Sequence, residues 1–534
     1  MSKVLPLISL FIISIISIFY WTLKPKNELY DAKWNATDTT LAITINGEIS
    51  TTFPTTNAYT GTVECTTGTG KVEWNGTKWV LTTSGITKGS TKCNAIFYKK
   101  PTFAETILAN NEVKTPITTP GAEVNAHTLD DIIDTSTSNV STKYQSYYFT
   151  YGTGWKANGS NFDLTGAAVT SDTYANSYSS LVGKYLPSTL LWYAGSSTAG
   201  KMQTTTNLDS VYYVVSATSS SFTYKKLTSN KNITEALLAS AEDDYGTSYY
   251  FRGTVKNNYV EFANKCWRIV RIVGDGSVKL VLHNDNTSKA SNPCSLANND
   301  TSAAFARYSG STYTSAFNEK HDDNAYVGFM YGTAGASNYA STHANINKSI
   351  ILNNLETWYT NNLARFDSRL ADTIWCNDKS TVNGLGYGAD KTDYGAFSRL
   401  YSTKTPTLIC QSDNDGGKLS KFTVNDIKNG NGNLTYKIGL LTADELMFAG
   451  YAYNLFNYGN YLQENATDTE WWSLSPQVFG LSYSIVWIAN ISFGYYDSPI
   501  SVSGNWGVRP AISLISSTTI SGGSGTSEDP YVVE

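Results

Sequence analysis

Charge is scarce in this chain. Asp, Glu, Lys and Arg make up 16% of its 534 residues, against about a quarter in ordinary globular proteins. The net charge is −5, and no Lys/Arg stripe exists to displace counterions from phosphates, which excludes a nucleic-acid partner. Histidine is scarcer still: His127, His283, His321 and His343 are all there are. None stands in an H-E-x-x-H or similar helical spacing, and no nucleophile elbow occurs, so the familiar hydrolytic constellations are missing. The cysteines form neither a C-x-x-C pair nor a Cys/His metal spacing. Apolar runs long enough to cross a membrane are limited to one, near the N-terminus. No second span and no sortase-type signal follows it.

What is present is apolar and aromatic. Hydrophobic residues reach 41% and aromatics 13%, enough for sizeable cores, and the length suggests about three or four domains. Ser, Thr, Asn and Tyr carry the polar character, which suits a neutral extracellular surface. The uncharged run from Val4 to Leu23 just spans a hydrocarbon core, with Tyr20 and Trp21 at the position of an interfacial belt. A cleaved signal peptide is the rival reading, but Phe19-Tyr20-Trp21 is bulky where a cleavage site needs small residues. Lys3 lies on one side of the run and Lys24 and Lys26 on the other, so charge does not set its orientation.

Six cysteines, Cys65, Cys93, Cys266, Cys294, Cys376 and Cys410, fall into three neighbouring pairs. Grouping alone selects sequential pairing from the connectivities available, six buried thiols being the alternative. Three local disulfides would place the bulk of the chain in an oxidising exterior.

Residues 34–99 read as a small β module: Leu41–Ile45 alternates as a strand does, and Trp74 to Trp79 is a hairpin signal around Asn75-Gly76. Residues 100–140 read as a Pro- and Thr-rich linker with one short helix at Glu105–Asn110. Residues 141–229 form a Tyr- and Ser-rich module, with a helix-compatible stretch from Asp172 to Lys184 and strands at Val211–Val215 and Ser221–Tyr224. The largest domain, residues 242–534, opens with strands at Ser248–Gly253 and Tyr259–Phe262. Cys266–Val273 and Val278–Leu282 then flank a tight Asp275-Gly276 turn. Ile351, Leu355, Trp358, Tyr359 and Leu363 recur at helical spacing, and Thr442 to Glu445 is a capping box opening a second helix through Phe448. Further strands are expected around Trp472, at Tyr483–Ile488, at Val508–Leu514 and at Tyr531–Val533. Few long helices and many short strands make an α+β domain.

The chemistry-bearing clusters have bland readings. His321 with Asp322 and Asp323 reads as a solvated polar loop. Gln411 to Gly416 begins like a calcium loop, but the twelfth position is Phe422 where a bidentate Glu is needed, so an Asp/Asn/Gly turn is expected and no cofactor or metal is assigned, a structural calcium having no further support. Asn284-Asp285-Asn286 is discounted likewise. Arg509 reads as a structural charge tied to backbone carbonyls or an acid. Trp471, Trp472, Trp487 and Trp506 belong to the core first. Strand alternation nevertheless turns one of Trp471 and Trp472 outward. The loops between Ser475 and Asn505 mix aromatics with Ser, Gly and Asn as adaptable binding surfaces do. Trp472, Tyr483, Trp487, Tyr495 and Tyr496 are therefore the candidate ligand-binding residues, with an aromatic cross-strand sheet as the alternative.

Six segments carry a family resemblance: YYFRG (249–253), CWRIVRI (266–272), IWCND (374–378), IGLLTADEL (438–446), WWSLSP (471–476) and GVRPAISL (507–514). In this order they resemble surface proteins of gut-type low-GC Gram-positive bacteria, whose C-terminal domain of unknown function is distantly similar to the C-type-lectin-like fold, shared with formylglycine-generating enzymes. The resemblance covers a little over half the chain and implies a display scaffold. One departure matters: formylglycine-generating enzymes use a cysteine pair close to the C-terminal arginine motif, and no cysteine follows Cys410 here, so nothing near Arg509 could do that oxidation. The Glu-Pro-Asn and Gln-Pro-Asp triplets of calcium-dependent lectins are absent too. The expectation is a single-pass membrane-anchored protein, its bulk extracellular, with a non-catalytic recognition or adhesion role toward carbohydrate or protein. A purely structural envelope protein is the alternative, and an enzyme on the same fold comes third.

Overall fold

The computed structural model describes residues 40–87, 90–116, 119–121, 236–411, 417–453, 455–456, 460–480, 482–489, 492–493 and 501–533, with residue 182 and short strands between 126 and 230. The apolar run Val4–Leu23 lies outside the described residues, among which no helix is long and apolar enough to cross a membrane. The chain divides into two compact units at Thr106/Ile107.

The first unit is a mixed sheet in the order Glu48–Ser50, Thr40–Ile45, Lys92–Lys99, Tyr59–Cys65, with a separate hairpin of Thr69–Trp74 and Trp79–Ser84. Thr40–Ile45 runs parallel to Lys92–Lys99. Alternation along these strands puts Leu41, Ile43, Ala95 and Phe97 into one core with Phe53, Val72, Trp79 and Leu81. Trp79 and Phe53 meet the Phe97 ring at 5.0 and 5.4 Å. The hairpin turns at Asn75-Gly76, as the sequence indicates: Gly76 has φ +98°, and Asn75 Oδ1 accepts from Thr77 N and Lys78 N at 3.1 and 2.9 Å. The helix expected at Glu105 begins earlier, spanning Phe103–Asn110. A capping box sets that start, since Thr102 N donates to Glu105 Oε2 and Glu105 N to Thr102 Oγ1, at 2.7 and 3.2 Å.

In the second unit, Ala126–Ser136 pairs with Phe222–Asn230, which pairs with Val211–Ala217 and, through it, Tyr185–Pro187. Both expected strands are there, and a third lies inside the segment read as a linker. Within the stretch read as helix-compatible, Thr173–Tyr174 is a strand paired with Gln145–Ser146.

The rest of this unit is α+β, with strands predominating. A first sheet runs Ala236–Asp243, Gly246–Gly253, Lys265–Ile272, Tyr259–Phe262, Tyr531–Val533, Ile520–Gly522, with Val278–Asn284 bridging Lys265–Ile272 and Ala511–Leu514. Its opening strand, Ala236–Asp243, precedes the expected domain start. Ala, Leu and Glu favour helix locally, but full-length pairing with Gly246–Gly253 overrides that preference. The last strand runs parallel to Tyr259–Phe262, the third strand of the domain. A second sheet runs Thr314–Ser315, Trp506–Gly507, Trp471–Gly480, Thr392–Tyr394, Thr381–Asn383, with Tyr483–Ala489 also on Trp471–Gly480. The helix Ile350–Asn362, N-capped by Ser349, buries Ile351, Leu355, Trp358 and Tyr359, the face its periodicity indicates.

Adjacent Trp471 and Trp472 correct an expectation. Neither faces solvent; both are 0% exposed. Alternation gives an outward face only when one side of a sheet is wet, and Trp471–Gly480 is buried on both sides along almost its whole length.

All six cysteines are bridged, as Cys65–Cys93, Cys266–Cys294 and Cys376–Cys410. Cys65 and Cys93 are directly opposed on antiparallel strands, Cys266 and Cys294 are fully buried against Tyr259, and Cys376–Cys410 fastens a short strand to a loop. Non-reducing peptide mapping should recover these three links and no others. Free thiols at any of the six positions would contradict the assignment.

Candidate functional site

The expected binding residues separate. Trp472 is fully buried, its Nε1 donating to Ser315 O at 2.7 Å, and meets Phe317 edge-on. Trp487 is 1% exposed. Contact of either indole face with a ligand is therefore closed by packing. Tyr483 is half-buried at a strand start, 5.0 Å from the His321 ring. Tyr495 and Tyr496 lie outside the described residues.

The structure brings other residues together around one irregular helix. After Gly395–Phe397, the chain continues as a π-helical turn, Ser398–Thr403, closed by Lys404 in the left-handed region. π-Turns are uncommon and recur at functional sites. On the solvent side, Tyr401 is 48% exposed. It stacks on Phe397 with centroids 5.1 Å apart and planes 16° from parallel. Tyr453 meets Tyr401 edge-on at 5.0 Å, and Trp487 meets Tyr453 at 5.9 Å. The result is an aromatic ladder whose outer rung is open and whose inner rung, Trp487, is core.

On the inner side Arg399 fixes this turn. Its Nε and Nη2 donate to Asp444 at 2.9 and 3.0 Å, and Nη1 donates to Asp378 at 2.8 Å. Gly395 permits the approach, because a Cβ there would lie 2.9 Å from Asp378 Oδ2 and 3.0 Å from Arg399 Nη1. Two carboxylates share one guanidinium, and burial pushes Asp378 upward in pKa despite Arg399 and Ser380.

These groups line a narrow cleft that also reaches Asp243, Arg271, Lys279 and Glu445 and the Cys376–Cys410 bridge. Glu445 Oε1 accepts from Arg271 Nε at 3.0 Å and Lys279 Nζ at 2.7 Å, and Oε2 closes the capping box with Thr442 N at 3.0 Å. Arg271 also pairs with Asp243. Burial alone would raise the Glu445 pKa; Lys279, Arg271 and the Thr442 amide pull it down to about 2. Acids and bases here pair with one another across the cleft wall.

The remaining clusters are structural. Asp323 caps Asn324–Val327, accepting from Ala325 N at 2.9 Å, and also accepts from Gly335 N at 2.8 Å. His321 Nδ1 is 3.0 Å from Ser503 Oγ. Asp285 takes Lys265 Nζ at 2.7 Å and Trp358 Nε1 at 3.1 Å, so the Asn284–Asn286 turn is a core junction. The acidic part of the 411–416 turn lies outside the described residues, and among the described residues no cluster of His, Cys, Asp and Glu is arranged to hold a metal. Arg509 is bound by backbone carbonyls, as its sequence reading allows: Nε donates to Leu282 O at 2.9 Å and Nη1 to Leu462 O.

Against protein-family models, characterised proteins and solved structures, the chain finds no match. The ladder residues Phe397, Tyr401 and Tyr453 escaped the sequence reading. Their one local signal is the i, i+4 spacing of Phe397 and Tyr401, which places two aromatics on one helical face without saying that the face is open.

The charge network yields a pH dependence. The folded pKa of Glu445 lies below the ordinary carboxylate value, so its stabilisation is fully present above about pH 4.5 and fades as pH falls toward 2. Glu445→Gln should destabilise the domain by about 3–5 kcal/mol at neutral pH, leaving two buried cations short of a partner, and should flatten the acid limb of a denaturant-midpoint profile. An unchanged midpoint would show that Glu445 does not hold this network together.

Proposed function

We propose that this chain is a cell-surface recognition protein, held at a membrane by Val4–Leu23, whose C-terminal C-type-lectin-like domain binds carbohydrate or protein without catalysis. The observation that carries the reading is the ladder of Phe397, Tyr401 and Tyr453. Two parallel rings lie on an irregular helical turn with the outer one nearly half exposed, and that turn is fixed by a guanidinium shared between two buried carboxylates. Flat aromatic faces stack on the C–H faces of sugar rings or on apolar protein side chains, and rigid ones lose little entropy in doing so. Three disulfides support an oxidising exterior. The α+β architecture is compatible with the lectin-like assignment at the level of fold class; function does not follow from fold alone.

The purified, oxidised chain should bind saturably on a glycan array or to extracellular-matrix proteins. Tyr401→Ala and Tyr453→Ala should each weaken that binding by about tenfold or more, with the Tyr401 variant unfolding within about a degree of the parent, since an exposed ring carries little stability. Binding untouched by both substitutions would discard the ladder. Silence from a folded chain on both arrays would favour a purely structural envelope role.

The anchor is tested separately. Fractionated cells should retain the chain in the membrane with residues 1–23 intact. A soluble form starting near residue 25 would identify a cleaved signal instead.

A further inference from the structure

Buried arginines in this domain are handled in two ways. Arg268 is fully buried and donates from Nη1 to Glu464 Oε2 at 2.7 Å, from Nε to Asn258 Oδ1 at 2.7 Å and from Nη2 to Val255 O at 2.8 Å. Arg509 is equally buried, but no carboxylate lies within ion-pair distance of it among the described residues. Carbonyls take Nε and Nη1, and the guanidinium carbon sits 4.8 Å from the centre of the Trp471 ring. Nη2 has no hydrogen-bond partner among the described residues. Among the other 0%-exposed residues in that condition are Trp471 at Nε1, Tyr461 at Oη and, next to Leu282, His283 at Nδ1. Trp471 lies under the guanidinium, and Tyr461 precedes Leu462, whose carbonyl Arg509 binds.

Carbonyl dipoles and an aromatic face solvate a cation without cancelling its charge. Nor do the neighbours supply an anion. Tyr451 and Tyr461 are neutral phenols, raised in pKa chiefly by burial, and burial and Arg268 keep His283 neutral. A buried net positive charge beside unsatisfied N–H and O–H donors calls for an anion without protons.

We propose that Arg509 is the cation of an internal anion site that takes a small monovalent inorganic anion of the halide type, with Trp471 Nε1 and Tyr461 Oη as further donors. The enclosure limits its size. Trp471, Tyr451 and Tyr461 are all 0% exposed, so the site is closed to solvent, which suits a single-atom ion. The site is separate from the aromatic ladder, so its fate and that of the recognition reading are independent.

The test uses the whole oxidised chain. Thermal unfolding is followed in chloride, bromide and gluconate salts at equal ionic strength. Chloride or bromide should raise the midpoint by about 5 °C between trace levels and about a hundred times the dissociation constant, because a ligand of the folded state stabilises in proportion to the logarithm of its concentration. Crystals grown in bromide should show an anomalous peak beside Arg509 Nη2. Equal midpoints in chloride and gluconate, with an ordered water and no anomalous signal at Nη2, would overturn the proposal in favour of a hydrated arginine. Arg509→Met, where it folds, should lose the halide-dependent part of the midpoint shift; retention of that part would place the ion elsewhere.

Discussion

One carboxylate organises the C-terminal domain. Glu445 closes the N-terminus of the helix Ala443–Phe448 and at the same time receives Arg271 and Lys279, which come from neighbouring strands of the first sheet. Local and long-range demands meet on two oxygens. Removing three charges from water is costly, and in the interior their mutual attraction offsets that cost only when the geometry is good and the remaining lone pairs are satisfied. Both conditions hold: Thr442 takes the second oxygen, Asp243 takes the far side of Arg271, and Lys279 lies 4.6 Å from the centre of the Trp375 ring. The value of such a network lies in specifying one arrangement, because alternatives would bury a charge alone.

That arrangement extends to the candidate binding surface. Asp444, next to Glu445, holds Arg399, and Arg399 belongs to the same π-turn that presents Tyr401. The inner face of the turn is tied down by charge and the outer face is left aromatic and open. A platform positioned this way keeps its ring geometry without a ligand, which lowers the entropy lost on binding.

The low charge content takes on a different meaning once the fold is known. Read along the chain, 16% charged residues suggested a neutral surface. Many of those charges are inside: Arg268, Arg271, Lys279, Asp243, Asp285, Asp378, Asp444 and Glu445 are all buried. Composition counts charges and is silent on where they lie. The local dielectric, which depends on place, sets their strength.

The sequence by itself determined the features whose physics is local. The Asn75-Gly76 hairpin, the Asp275-Gly276 turn, the Thr442–Glu445 capping box and the buried face of Ile350–Asn362 each follow from a few neighbouring residues, and the structure holds all four. The grouping of the cysteines was enough to pair them. Tertiary structure decided what depends on partners distant in sequence. Ala236–Asp243 became a strand because Gly246–Gly253 pairs with it against its helical preference. Trp472 and Trp487 became core because their strands, Trp471–Gly480 and Tyr483–Ala489, are covered on both faces, which alternation within one strand cannot report. Tyr401 became an open platform because Tyr453 and Trp487 back it and Asp378 and Asp444 fix its turn. A residue's exposure depends on everything packed around it, and no short window of sequence contains that.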